Sequence, residues 1–125
     1  MNILKLFGPS LFGLGLYILL IIGCVGPGSI PLPTQKYVEF ANRNGHVTSL
    51  DSLTLGRSLF LQRCSECHNL KRPTKMPATR WPDVVRDMAV DGKIPPEQQK
   101  LITQYLVTVA SVIEDSLSQR KTKHP

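Results

Sequence analysis

The stretch LITQYLVTVASVIEDSL, residues 101–117, decides the fold class of this chain. Its large apolar residues recur every three or four positions, so they form one continuous stripe along a helix. The stripe consists of Leu101, Ile102, Tyr105, Leu106, Val109, Val112, Ile113 and Leu117. Proline is tolerated in the first turn of a helix, so Pro95-Pro96-Glu97 marks the start. We therefore predict a long amphipathic helix from about residue 95 to residue 117.

Three segments upstream carry helical patterns of their own. Their expected bounds are 34–44, about 49–64 and about 79–90. Ser49 or Asp51 could cap the second segment, and Thr79 is the expected cap of the third. Asn44-Gly45 ends the first segment and Asp91-Gly92 ends the third. Because no segment alternates apolar and polar residues with period two, the sequence predicts an all-α fold.

A short motif follows the second segment, and it reads Cys64-Ser65-Glu66-Cys67-His68. This C-x-x-C-H pattern is the attachment signature of a c-type haem. Two thiols three residues apart on a tight turn can each add to one vinyl group of the same porphyrin, and the following imidazole can then bind the iron. We predict one covalently bound haem c, attached through Cys64 and Cys67, with His68 as an axial ligand of the iron.

Other interpretations of the cysteine pair fit the sequence less well. A thiol–disulfide site of the C-x-x-C type normally opens a helix after a strand, whereas this pair follows a helix. A zinc site needs a second pair of ligands, but the remaining histidines, His46 and His124, stand alone. We expect these two histidines to be solvated. An accidental match with structural cysteines is the remaining alternative.

With this motif in place, the chain resembles the class I-like bacterial mono-haem cytochromes c from about residue 51 to residue 110. In that family a glycine and an aromatic residue, eight and four positions before the first haem cysteine, pack against the C-terminal helix. Gly56 and Phe60 occupy those positions here. The family's aliphatic–aromatic pair on the C-terminal helix would be matched by Leu101 or Ile102 with Tyr105 and Leu106. The resemblance implies a small cytochrome c-like fold, with N- and C-terminal helices packed around one covalently attached haem.

Two methionines beyond the N-terminal segment, Met76 and Met88, could supply the second axial ligand. Met88 shares one helical face with Trp81, Val84 and Val85. The resemblance is also to a subgroup in which a tryptophan-containing helix delivers the methionine, although the stretch after His68 is shorter than in many members. Met76 lies eight residues beyond His68, and an extended path of that length has little slack. The sequence favours Met88 and leaves Met76, another ligand or an open position as alternatives.

The ligand set bears directly on function. Histidine–methionine ligation saturates the iron and suits electron transfer better than ligand binding. We therefore predict an electron carrier, not an enzyme, that passes single electrons between membrane or periplasmic partners, alone or within a larger redox complex. A haem-based gas sensor or small-ligand-binding module with an open or displaceable sixth position is the alternative. The residues expected to line the haem pocket or to form the helix contact are Phe60, Trp81, Val84, Val85 and Tyr105.

The first 23 residues have the layout of an export signal. Lys5 supplies a positive charge, and residues 11–22 are almost wholly apolar. Ile21-Ile22-Gly23-Cys24 resembles the lipobox of bacterial lipoproteins, which implies cleavage before Cys24 and a lipid on its thiol. An uncleaved membrane helix and an ordinary cleaved signal are the alternatives. All three interpretations place the remaining chain outside the cytoplasm. A lipid on Cys24 or an uncleaved helix would also anchor it to the membrane, facing the periplasm or cell exterior.

A chain of 125 residues allows one domain at most, and three cysteines exclude a fully paired disulfide framework. After residue 23 we expect a linker with a short N-terminal extension (24–48), a cytochrome c domain (49–118) and a disordered basic tail (119–125). Three prolines and two glycines in residues 25–33 are typical of a linker.

The charge balance bears on partners. The chain has 15 Lys plus Arg against 9 Asp plus Glu, which gives a formal net charge of +6 at pH 7. Seven basic residues lie from Arg57 to Arg86 and could steer an acidic redox partner, although solvated helix faces explain them as well. The basic tail could contact anionic lipids. Without interleaved aromatic residues, nucleic-acid binding is a poor interpretation.

Overall fold

The computed structural model describes residues 30–123, so the expected leader (1–23), Cys24 and His124 lie outside it. Within these residues the regular structure is helical and contains no strand, which confirms the all-α prediction. The elements are α1 (Gln35–Arg43), α2 (Leu50–Arg63), two 3-10 turns (Pro73–Lys75 and Ala78–Arg80), α3 (Trp81–Asp91) and α4 (Pro96–Lys123). No helix in this part of the chain has the length and hydropathy that crossing a membrane requires.

The start of α2 and the end of α1 follow from local sequence. The side chain of Ser49 accepts a hydrogen bond from the backbone N–H of Ser52 at 3.1 Å, so Ser49 caps α2. Asp51 lies inside the first turn, where a negative charge interacts favourably with the helix dipole. α1 ends where Gly45 adopts a positive φ of 79°, a conformation that glycine tolerates without strain.

The start of α3 differs from the prediction that Thr79 is its cap. Residues 78–80 form a 3-10 turn instead, and α3 begins at Trp81. The cause is a tertiary contact, since the carboxylate of Glu114 on α4 accepts a hydrogen bond from the backbone N–H of Ala78 at 2.8 Å. The predicted end of α3 at Asp91 is confirmed.

The C-terminal end of α4 also differs from expectation. The helix continues to Lys123, so the prediction of a disordered tail is wrong as far as that residue. The amide of Gln119 donates to the carboxylate of Asp115 at 2.7 Å, and the hydroxyl of Thr122 donates to the backbone carbonyl of Gln119 at 2.9 Å. Basic side chains in the last turns also interact favourably with the carbonyl end of the helix dipole.

α4 is the central element of the fold, because every other helix and both 3-10 turns pack against it. Its inward face is almost inaccessible to solvent, and burial of each large apolar side chain contributes about 1.5–3 kcal/mol. The most deeply buried large side chains of α4 are those of Ile102, Tyr105, Leu106 and Val109.

α2 crosses α4 at very close range at Gly56. A Cβ atom added there would overlap the backbone carbonyl of Leu101 and lie 2.9 Å from the Cβ of Tyr105. Only glycine lets the two backbones approach this closely, as the sequence predicts. This crossing fixes the position of the C-terminal end of α2, where Cys64 follows.

The segment before α1 packs onto the domain as a strap, defined here as residues 30–33. The guanidinium of Arg57 donates to the backbone carbonyls of Pro31 at 3.1 Å and of Ile30 at 3.2 Å. The hydroxyl of Tyr105 donates to the same carbonyl of Pro31 at 2.6 Å. α1 then buries Val38 and Ala41. The strap and α1, which belong to the expected linker and extension, therefore pack against the helical domain.

Candidate functional site

A cleft of about 360 Å³ opens beside the C-terminal end of α2. Its volume falls in the range of small-molecule and cofactor sites. The end of α2, the segment after it, α3, the loop after α3 and one residue of α4 supply the walls. Eight residues singled out from the sequence line this one cleft: Phe60, Cys64, Cys67, His68, Trp81, Val84, Val85 and Met88.

The two cysteines sit on the tight turn that ends α2. Cys64 is half-buried, and its backbone N–H donates to the carbonyl of Phe60 at 3.2 Å, which continues the helical pattern into the turn. Cys67 is exposed, and both residues have free thiols. Burial raises the pKa of the Cys64 thiol, and the nearby Cys67 and Glu66 raise it further. Both thiols therefore line the same cleft, and that of Cys67 is the more exposed to solvent.

His68 follows the second cysteine directly and is exposed at the edge of the cleft. Its ring Nδ1 lies 3.0 Å from the backbone carbonyl oxygen of Asn69. Because a carbonyl oxygen can only accept, Nδ1–H is the donor of this bond, and the tautomer with its proton on Nδ1 leaves Nε2 unprotonated. The lone pair of Nε2 is then available to bind a metal, and the hydrogen bond at Nδ1 orients the imidazole. His46, by contrast, is exposed elsewhere on the surface.

The two candidate methionines occupy different environments. Met88 projects from α3 into the wall of the cleft and is 43% exposed. Met76 is half-buried and packs against the hydrophobic core, and it is not part of the cleft wall. The structure therefore brings Met88, rather than Met76, together with Cys64, Cys67 and His68.

The aromatic residues form a layered contact behind the cleft. The rings of Phe60 and Trp81 meet edge to face, with centroids 6.4 Å apart and an interplanar angle of 78°. The indole N–H of Trp81 donates to the carbonyl of Pro73 at 2.9 Å, which ties α3 to the first 3-10 turn. Tyr105 packs on Phe60 from the other side, with centroids 6.2 Å apart. Tyr105 does not line the cleft. Of the two positions expected for it, the haem pocket and the helix contact, it occupies the helix contact.

Three apolar wall residues were not predicted to line the cleft from the sequence: Leu70, Ile94 and Leu106. Leu70 and Ile94 lie in irregular segments, where no periodicity marks a buried face. Leu106 was recognised only as part of the helix stripe. Proximity to the motif is the one sequence signal that could have indicated Leu70, which lies two residues after His68.

Charges of both signs line the cleft. Arg63 and Lys71 are the members of the predicted basic cluster that reach its wall, and they are accompanied by Asp87 and Asp91. Arg57, the first member of the cluster, instead donates to the carbonyls of the strap. The cluster is therefore dispersed over the surface, and the cleft itself is close to neutral in formal charge.

No family model matches this chain, and no curated protein or solved structure is significantly similar to it. The chemistry of the site is therefore inferred from the residues that line it. Within residues 30–123, no group of three or more His, Cys, Asp or Glu side chains is placed to hold a bare metal ion. The cleft does combine two free thiols, an imidazole with an available Nε2 and a thioether, all within apolar walls. This donor set fits a covalently attached haem, whose iron takes only axial ligands from the protein.

Proposed function

We propose that this protein is a mono-haem c-type electron carrier. One haem would be joined to the chain through Cys64 and Cys67, with His68 and Met88 as axial ligands of the iron. The observation that carries the proposal is that all four side chains line one cleft with largely apolar walls, although Met88 comes from a different helix than the motif. When bound, the haem supplies a one-electron couple of its iron.

The surrounding residues tune that couple in defined ways. The bond from His68 Nδ1–H to the carbonyl of Asn69 orients the imidazole and strengthens Nε2 as a donor. The thioether of Met88 would favour the reduced iron of a bound haem and so raise its potential. The buried rings of Phe60 and Trp81 exclude water from the inner wall, which favours the less charged state of the centre.

Electron exchange with a partner would take place at the open side of the cleft. Cys67 and His68 are both exposed there, so this edge can be approached without any movement of the helices. Arg63 and Lys71 supply the positive charges that acidic groups of a redox partner would contact. Because Asp87 and Asp91 lie on the same rim, we expect only a moderate dependence of association on ionic strength.

The site of action follows from the N-terminal sequence. We propose export across the cytoplasmic membrane and retention on its outer face, either by a lipid on Cys24 or by an uncleaved apolar segment. Mass spectrometry of the mature N-terminus distinguishes these forms. A lipid-modified Cys24 would support the first, and an intact Met1 would contradict it.

The test of haem attachment is expression of the full chain in cells that mature c-type cytochromes. We expect a haem that stays on the polypeptide through a denaturing gel and gives a reduced haem spectrum. Cys64→Ala and Cys67→Ala should each weaken the attachment, whereas Cys24→Ala, a cysteine outside the motif, should retain it. A wild-type chain that is folded but carries no covalent haem would refute the proposal.

Carbon monoxide distinguishes electron transfer from ligand sensing. If Met88 holds the sixth position, the reduced protein should bind carbon monoxide slowly or weakly, because the thioether must first leave the iron. Rapid and tight binding would support the gas-sensor alternative instead.

A further inference from the structure

A second concavity, of about 480 Å³, lies between the strap, α1 and the C-terminal half of α4. We call the surface around it the strap face and define it by Leu32, Lys36, Tyr37, Ile113, Leu117 and Arg120. Leu32 is 68% exposed and Leu117 is 51% exposed. No acidic side chain from the described residues lines the concavity. The strap face therefore combines exposed leucines with positive charges only.

The basic character continues beyond the concavity along α4. Lys121 lies one turn after Leu117 and therefore on the same stripe of the helix, and Lys123 lies close to the end of α4. Exposed leucines flanked by lysine and arginine are typical of surfaces that insert apolar side chains into a lipid interface while pairing with anionic headgroups.

The course of the chain connects this face to the apolar N-terminal segment. The strap enters the fold at Ile30, where Arg57 and Tyr105 fix it by hydrogen bonds to backbone carbonyls. The apolar residues 11–22 end eight positions before Ile30. Eight residues span at most about 28 Å even when fully extended. A bilayer that holds residues 11–22 or a lipid on Cys24 therefore lies within reach of the strap face.

We infer that the strap face rests on an anionic lipid bilayer, with Leu32 and Leu117 at the lipid interface and the nearby basic residues against the headgroups. The inference depends on the proposed membrane tether and is independent of the haem. Leu106 in the wall of the cleft and Leu117 are eleven residues apart on α4, which is about 16 Å along the helix axis. The strap face and the cleft share no lining residue, so contact through the strap face does not occupy the cleft.

Photo-cross-linking in nanodiscs tests this contact on the full chain. The chain is reconstituted in discs of phosphatidylcholine with or without phosphatidylglycerol, and Leu117→p-benzoylphenylalanine is illuminated. The matched control is Leu55→p-benzoylphenylalanine, because Leu55 is also 51% exposed but lies on α2 outside the strap face. We expect lipid adducts at position 117 to exceed those at position 55 by about tenfold in the discs that contain phosphatidylglycerol.

Charge reversal separates lipid contact from simple tethering. Lys36→Glu with Arg120→Glu should lower the lipid adducts at position 117 by at least about tenfold, because two positive charges that pair with anionic headgroups are replaced by negative ones. Lys93→Glu with Lys100→Glu makes the same change in net charge outside the strap face and should leave the adducts unchanged.

Several outcomes would overturn the inference. Two of them concern the yield of lipid adducts: equal yields at positions 117 and 55, and a yield at position 117 that does not change with the charge reversal or with phosphatidylglycerol. The other two are cross-links to a second copy of the chain and failure of the chain to insert into the discs. The haem spectrum is recorded on the same samples. A sample without haem but with the expected adducts would refute the haem proposal and leave the lipid contact supported.

Discussion

The hydroxyl of Tyr105 on α4 donates a hydrogen bond of 2.6 Å to the backbone carbonyl of Pro31, 74 residues earlier in the chain. The side chain of Tyr105 is fully buried. Burial raises the pKa of this hydroxyl well above its usual range, and the neighbouring Arg57 opposes the shift only in part. The phenol is therefore neutral in the folded protein at any pH near neutrality, and it holds the strap against the helix crossing.

Tyr105→Phe should lower the free energy of unfolding by about 1 kcal/mol near neutral pH, because it removes one buried hydrogen bond. The wild-type contribution of Tyr105 is complete below the usual tyrosine pKa of about 10 and is lost as the pH rises above it, since only the unfolded chain can then release the proton. Urea unfolding of both proteins at about pH 7 and about pH 11 measures this. We expect the difference to shrink at the higher pH, and a constant difference would contradict the argument.

Gly56→Ala should destabilise the fold by about 1–3 kcal/mol, although alanine has the higher helix propensity. The added Cβ would overlap the carbonyl of Leu101, a backbone atom that can move only if α2 and α4 separate. Gly92→Ala is the control, since its Cβ would lie 3.3 Å from its nearest neighbours and small shifts can accommodate it. Thermal unfolding of both variants gives the comparison. Similar melting temperatures for the two would show that the crossing is less constrained than the geometry implies.

Met88→Ala should abolish the absorption band of the methionine–iron bond in the oxidised holoprotein and lower its reduction potential, because the thioether favours reduced iron. Met76→Ala should leave the spectrum unchanged and reduce stability, since Met76 packs against the core. Visible spectroscopy and a redox titration of both variants measure these effects. An unchanged band in Met88→Ala would show that a different residue binds the iron.

Cys64 in the reduced, haem-free chain should react with iodoacetamide more slowly than an unperturbed thiol near pH 8. Its raised pKa leaves less thiolate at that pH, and the thiolate is the reactive form. Peptide mass spectrometry across a pH series gives the rate at Cys64 itself. Glu66→Gln should accelerate the reaction by removing a nearby negative charge, whereas Glu97→Gln, on the first turn of α4, should have no effect. Equal rates for both variants would contradict the contribution assigned to Glu66, which adds to the larger effect of burial.

The helical segments were predictable because their information is local. The apolar stripe of α4, the cap at Ser49 and the end of α1 at Gly45 each depend on residues within one or two turns of one another. Where a distant contact intervenes, local reasoning failed. The carboxylate of Glu114 converts the expected cap at Thr79 into part of a 3-10 turn, although the two residues are 35 positions apart.

By itself, the sequence determined the helical class and the adjacency of Cys64, Cys67 and His68, because short-range spacing controls both of them. Only the tertiary structure decided that Met88 rather than Met76 lines the cleft and that Tyr105 holds the strap. The structure alone also shows that residues from irregular segments, such as Ile94, line the cleft. These arrangements depend on how separate helices pack across a shared core, and that packing follows from shape and burial that no local pattern specifies.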